Sequence, residues 1–136
     1  MSRIAAVDDD PDMIALYEDC LSDHHEVVSY SSGAAVLAGI ASSGAECVLV
    51  DIDLGDMNGV TVLRALRAME ALRGVPILAV TTHSRQSERA VYLNEGFDDY
   101  IAKPVNPELL LATVETALRG ECMPFLDDEQ EIQSDD

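Results

Sequence analysis

Basic side chains are scarce in this chain: eight stand against 26 acids, for a formal charge of -18 at pH 7. A surface so charged repels nucleic-acid phosphates and anionic membranes within a Debye length, which argues against direct nucleic-acid binding and against docking on acidic lipid. Lysine is scarcer still, with Lys103 alone among seven arginines. Cysteine is sparse and odd in number: Cys20, Cys47 and Cys122 are widely spaced and mostly set in apolar segments. That pattern predicts reduced thiols in a cytoplasmic protein; it has neither the density of a disulfide framework nor the spacing of a metal-binding motif. No apolar run is long enough to span a bilayer, and Met1-Ser2-Arg3 leads towards an acidic segment instead of a signal-peptide core, so a cytoplasmic location is expected.

What is present suffices for one domain. A chain of 136 residues buries about two-thirds of the surface its unfolded form exposes and needs no staple. Its charge is uneven: residues 120–136 hold seven acids and no base, leaving 19 acids and eight bases, or -11, for residues 1–119. The expected organisation is a domain over 1–120 and a flexible acidic tail over 121–136, with Met123, Phe125, Leu126 and Ile132 scattered through it. The acidity of the body suits a highly soluble surface or a salt-adapted source.

Cys47 to Val50 is a continuous apolar run that gives way to Asp51-Ile52-Asp53. Such a run without alternation fits a strand covered on both faces, with Asp51 at its carboxyl end. Leu54 to Gly59 then carries two glycines and turn-forming polar residues, a loop displaying the acid at a rim. Taken alone, Asp51 could equally cap a turn.

Its company decides. Ile4 to Val7 is a second short apolar run, ending in Asp8-Asp9-Asp10-Pro11, where Asp10 as N-cap and Pro11 at the first helical position open a helix carrying Met13, Leu16, Tyr17, Cys20 and Leu21. Glu26 to Tyr30 reads as a strand preceded by His24 and His25 in a solvated turn, and Gly33 to Ala41 as a short helix. Val60 to Leu72 predicts a helix with Val60, Leu63, Leu66 and Met69 on one face. Ile77 to Val80 is a strand ending in the polar cluster Thr81-Thr82-His83-Ser84, followed by a helix over Arg85 to Glu95. Asp99 to Ala102 is a short strand meeting Lys103-Pro104, and Asn106 caps a last helix from Pro107, with Leu110, Val114, Ala117 and Leu118 along it and Gly120 at its end.

Five strands alternating with five helices predict an α/β fold, a doubly wound parallel sheet with helices on both faces. Parallel strands bring their carboxyl ends to one edge, so Asp8, Asp9, Asp51, Thr81 and Lys103 should converge. Three carboxylates with oxygen as the only ligand type suit a hard divalent cation such as Mg²⁺. A lone ammonium and a hydroxyl beside them suit the oxygens of a phosphoryl group carried on Asp51.

The ordered set Val7-Asp8-Asp9-Asp10-Pro11, Val50-Asp51-Ile52-Asp53, Met57-Asn58-Gly59, Val80-Thr81-Thr82 and Tyr100-Ile101-Ala102-Lys103-Pro104 resembles the receiver domains of bacterial two-component response regulators, over residues 3 to about 119. The resemblance implies a flavodoxin-like (βα)5 fold and a single-domain regulator, a signalling module and not an enzyme. Asp51 would accept a phosphoryl group from a sensor histidine kinase or a histidine phosphotransfer protein. Mg²⁺ would be held by Asp9 and Asp51 directly, by Asp8 through water, and by the main-chain carbonyl of Asp53. Lys103 would pair with one phosphoryl oxygen and Thr81 donate to another, with Thr81 and Tyr100 as the switch that alters docking of a downstream protein or onward relay.

Gly55 departs from the family's frequent proline and should loosen the loop, while Thr82 replaces a usual alanine and narrows access. Asp53 and His83 occupy variable positions that tune phosphoryl lifetime in the family. Asp51-Ile52-Asp53 also resembles the nucleophile motif of haloacid-dehalogenase-type phosphatases, but here the acidic pair Asp8-Asp9 comes before it. The other alternative is a receiver-like binding module that works without phosphorylation.

Overall fold

The structure, a computed structural model, describes residues 2–82 and 86–120. His83, Cys122 and the tail over 121–136, including Phe125-Leu126, lie outside the described residues. Five strands, β1 (Ser2–Val7), β2 (His25–Tyr30), β3 (Cys47–Asp51), β4 (Ile77–Thr81) and β5 (Asp99–Ala102), alternate with α1 (Pro11–Leu21), α2 (Gly33–Gly39), α3 (Gly59–Arg67), α4 (Gln86–Glu95) and α5 (Pro107–Leu118). These five strands pair in parallel, in the order β2-β1-β3-β4-β5. The chain moves outward from β1 in one direction to β2 and in the other to β3, so the crevice between β1 and β3 is the topological switch point where ligands bind in open α/β sheets.

The unbroken apolar runs follow from coverage on both sides. Successive strand residues point to opposite faces. Ile4, Ala6, Cys47, Leu49, Leu78, Val80 and Ile101 pack with Tyr17 and Leu21 of α1 and Leu110, Val114 and Ala117 of α5. Ala5, Val7, Val48, Val50, Ile77 and Ala79 form the other core with Val36 of α2, Val62, Leu63 and Leu66 of α3 and Tyr92 of α4. Each large aliphatic so buried contributes about 1.5–3 kcal/mol against the entropy of ordering it. Helix starts are satisfied locally: Asp10 accepts from Asp12 N–H, Ser32 from Ala35 N–H, Asn58 from Val60 N–H, and Asn106 from Glu108 and Leu109 N–H.

The structure corrects three readings. The helix expected over Val60 to Leu72 ends at Arg67: Met69 is extended and a short 3-10 turn spans Glu70–Leu72. At about 100° per residue a continued helix would turn Leu72 to the side opposite Leu63, whereas the break lets it enter the core at 2% exposure. Val60 is correspondingly only half-buried, and Val62 takes a core position. The helix expected to reach Ala41 stops at Gly39 and continues as a 3-10 turn over Ile40–Ser42. His25 is no solvated turn residue: it opens β2, is buried, and its Nε2 meets Glu115 Oε2 of α5 at 2.6 Å.

Candidate functional site

Strand register assembles the acids. Val7 pairs with Val50, so Asp8 and Asp51 leave neighbouring strands side by side. Asp51 pairs with Val80, which brings Thr81 one step beyond it on β4, and Thr81 pairs with Ala102, which brings Lys103 one step beyond β5. Asp8, Asp9 and Asp51 each offer a carboxylate oxygen, and these atoms lie within 4.8 Å of one another. Asp8 and Asp51 are buried and Asp9 is exposed.

Lys103 crosses over β4 to reach both buried acids. Its Nζ is 3.3 Å from Asp8 Oδ2 and 3.5 Å from Asp51 Oδ2. The other carboxylate oxygens take main-chain donors, Asp10 N–H to Asp8 Oδ1 at 3.0 Å and Asp53 N–H to Asp51 Oδ1 at 3.1 Å. One ammonium shared between two buried carboxylates leaves negative charge in excess, and like charges at about this spacing repel by ~3 kcal/mol at an effective dielectric constant of ~20. The strain is recorded at Asp8, whose carboxyl is held above its usual range by burial and then by Asp51, against the Asp10 N–H and Lys103, which pull it down. An all-oxygen, acid-rich donor set with buried excess charge fits Mg²⁺.

The remaining expected residues take stated places. Thr81 is fully buried at the end of β4, and its carbonyl accepts from Lys103 N–H at 2.8 Å. Tyr100 is half-buried in β5 and packs on the core face covered by α2, α3 and α4. Asp53 is exposed and forms an isolated antiparallel bridge with Asn58. The loosening expected from Gly55 is opposed at two points: that bridge, closed by the Gly59 N–H on Ile52 O at 2.8 Å, and the Asp56 carboxylate, which accepts from Gly33 N–H at 3.0 Å and Ala34 N–H at 2.9 Å. Gly59 is required by closeness, since a Cβ there would lie 2.7 Å from Asp51 O and from Ile52 Cα. The α2 N–H groups hold the Asp56 carboxyl below its usual range.

Two side chains carry little signal in the sequence. Asp56 reads as an ordinary turn residue, because its partners at α2 are 22 and 23 positions away. Tyr17 reads as one more apolar position of α1; the available signal is its polar tip, since a fully buried tyrosine hydroxyl normally has a hydrogen-bond partner.

A family model described as the response regulator receiver domain matches residues 4–115. The chain is 34% identical over 116 residues to the sensor protein GacS of Pseudomonas syringae pv. syringae, a match covering 82% of this chain and 13% of that protein. It is 31% identical over 121 residues to the protein PilH of Pseudomonas aeruginosa, covering 88% of this chain and 100% of PilH. The chain spans about half the length of several other curated relatives, 48% to 50% of each. Among solved structures it resembles the receiver domain of a sensor histidine kinase from Pseudomonas aeruginosa PAO1, with a TM-score of 0.78, 27% identity, and coverage of 86% of this chain and 97% of that one. That structure has a magnesium ion coordinated in its active-site cleft.

Proposed function

The chain belongs to the response regulator receiver family, and we propose that it acts as a receiver whose Asp51 accepts a phosphoryl group from a sensor histidine kinase or a histidine phosphotransfer protein. The observation that carries this reading is the reach of Lys103 to Asp8 and Asp51 at 3.3 and 3.5 Å. One ammonium stands where a phosphoryl group on Asp51 would need its charge met.

Asp51 Oδ attacks the phosphorus of a phosphohistidine; the P–O bond forms as the P–N bond breaks, and the imidazole leaves with the bonding pair and takes up a proton. The carboxylate is already oriented by the Asp53 N–H, so little reorganisation precedes attack. Mg²⁺ held by Asp9 and Asp51, by Asp8 through water and by the Asp53 carbonyl would neutralise charge that otherwise keeps an anionic donor away. Lys103 meets one phosphoryl oxygen, and the Thr81 hydroxyl turns to another. Withdrawal of Thr81 leaves room at β5 for Tyr100 to move inward, shifting the population between two docking states.

The output is protein docking or onward phosphoryl relay in the cytoplasm, without nucleic-acid or membrane contact, and the receiver unit ends at Gly120, with 121–136 as an appended acidic tail. Asp53 and His83 set the lifetime of the product. An aspartyl phosphate is a mixed anhydride, so the phosphorylated protein should release its phosphoryl group rapidly in hydroxylamine. Label that resists hydroxylamine would show a phosphoester elsewhere and contradict the reading. An Asp53→Asn, His83→Glu double variant should hydrolyse at a different rate from wild type; equal rates would remove these two residues from lifetime control.

A further inference from the structure

Two residues of different origin serve the start of α2. Ser32, adjacent in sequence, accepts from Ala35 N–H through its side chain and from Val36 N–H through its carbonyl. The two N–H groups ahead of these go to Asp56 of the segment between β3 and α3: Gly33 donates to Oδ1 at 3.0 Å and Ala34 to Oδ2 at 2.9 Å. A helix that already has its N-cap does not need an acid brought from 22 and 23 positions away in order to begin. Starting α2 therefore does not by itself explain why the segment is tied to it.

What the tie fixes lies on the far side of that segment. Met57 sits so close on Gly33 that a Cβ there would come within 2.4 Å of Met57 Cγ and 2.6 Å of Sδ, so α2 and the segment meet without slack. On the opposite flank a Cβ at Gly55 would lie 3.2 Å from Asp9 Oδ2, which places the Gly55 backbone against the exposed acid of the cluster. Between β3 and this tip stands Asp53, whose N–H orients Asp51 Oδ1. Its carbonyl is the main-chain ligand of the proposed Mg²⁺ site. Glycine at 55 gives the tip no stiffness of its own. Two charge-assisted hydrogen bonds to the positive end of a helix supply it.

We propose that Asp56 is a positioning residue of the Mg²⁺ site: by fastening the tip of the segment to α2, it holds the Asp53 carbonyl and the Gly55 backbone where an ion on Asp9 and Asp51 requires them. This rests on the Mg²⁺ reading of the site. Asp56 acts through the segment, and α2 is the post to which the segment is fixed.

The test is calorimetric titration of Mg²⁺ into wild type, Asp56→Ala and Ser32→Ala, with melting curves and amide hydrogen exchange over residues 53–58 recorded on the metal-free proteins. Asp56 is exposed, so its variant should fold. Its Mg²⁺ affinity should fall about tenfold, the lower end for loss of a residue that orients a metal ligand, and its 53–58 amides should exchange faster than those of wild type. Ser32→Ala removes the helix's own cap and leaves the tie in place, so it should lower Tm while Mg²⁺ affinity stays that of wild type. Wild-type affinity in Asp56→Ala, whatever its Tm, would overturn the proposal and leave the site reading standing. So would a Ser32→Ala that weakens Mg²⁺ binding as much as Asp56→Ala does, because fraying of α2 would then suffice. Wild type that binds no Mg²⁺ would contradict the underlying site reading and the proposal with it.

Discussion

Asp8 is pulled in two directions, since the fold buries its carboxyl while the proposed chemistry needs that carboxyl charged. Because its folded-state pKa lies above the unfolded one, ionising it opposes folding: the penalty is absent below the unfolded pKa, grows as pH rises between the two values, and is complete above the folded pKa. Asp8→Asn should therefore raise Tm in Mg²⁺-free buffer at pH 7 and weaken Mg²⁺ binding, whereas a fall in Tm would mean that the Lys103 pair outweighs burial. Lys103→Ala should do the reverse. It strips the shared cation from two buried carboxylates at 3.3 and 3.5 Å, and denaturant unfolding should show a loss of about 3 kcal/mol in metal-free buffer, smaller when Mg²⁺ is added. The acids and the lysine were legible in the sequence because each follows an apolar run, and parallel strands carry run ends to one edge. Tyr17 was not, because which way a helical hydroxyl points depends on how α1 rotates against the sheet.

Among the elements, the segment between β3 and α3 is the most closely specified. Its closing bridge Asp53–Asn58, the approach of Gly59 to the backbone of Asp51 and Ile52, and the grip of Asp56 on α2 hold the flank of Asp51. Gly59→Ala drives a methyl against backbone atoms that cannot step aside, and should cost about 1–3 kcal/mol in denaturant unfolding. Asp56 has its pKa depressed by the Gly33 and Ala34 N–H groups. The stability it supplies is full above the unfolded pKa and is lost as pH falls through the folded one. Asp56→Asn should thus lower Tm at neutral pH and flatten the acid side of the Tm–pH profile, and an unchanged profile would show that α2 does not depend on this cap. Helix starts at Asp10 and Asn106 were readable, because N-cap and proline are adjacent in sequence. The break after Arg67 was not. Met69 fits the spacing of an amphipathic helix, and only the space left for Leu72 in the core makes the chain leave it.

The molecule as a whole combines a core closed on both faces with a charge of -18. The fold class was legible because continuous apolar strands alternating with capped helices allow little but a doubly wound sheet; the site edge followed from strand direction. Self-repulsion opposes the compact state, so Tm should rise as NaCl increases from about 0.01 to 1 M and the Debye length falls from ~30 to ~3 Å. A Tm that is flat or falling over that range would mean that the salt bridges, such as Arg3–Glu26 and Arg67–Asp98, outweigh net repulsion. The central claim, Mg²⁺-dependent transfer of a phosphoryl group to Asp51, is tested most directly by intact-protein mass after incubation with acetyl phosphate and Mg²⁺. Wild type should gain one phosphoryl group, and Asp51→Asn and wild type with a chelator none. A wild-type mass that does not change, or a phosphoryl group that persists in Asp51→Asn, would contradict it.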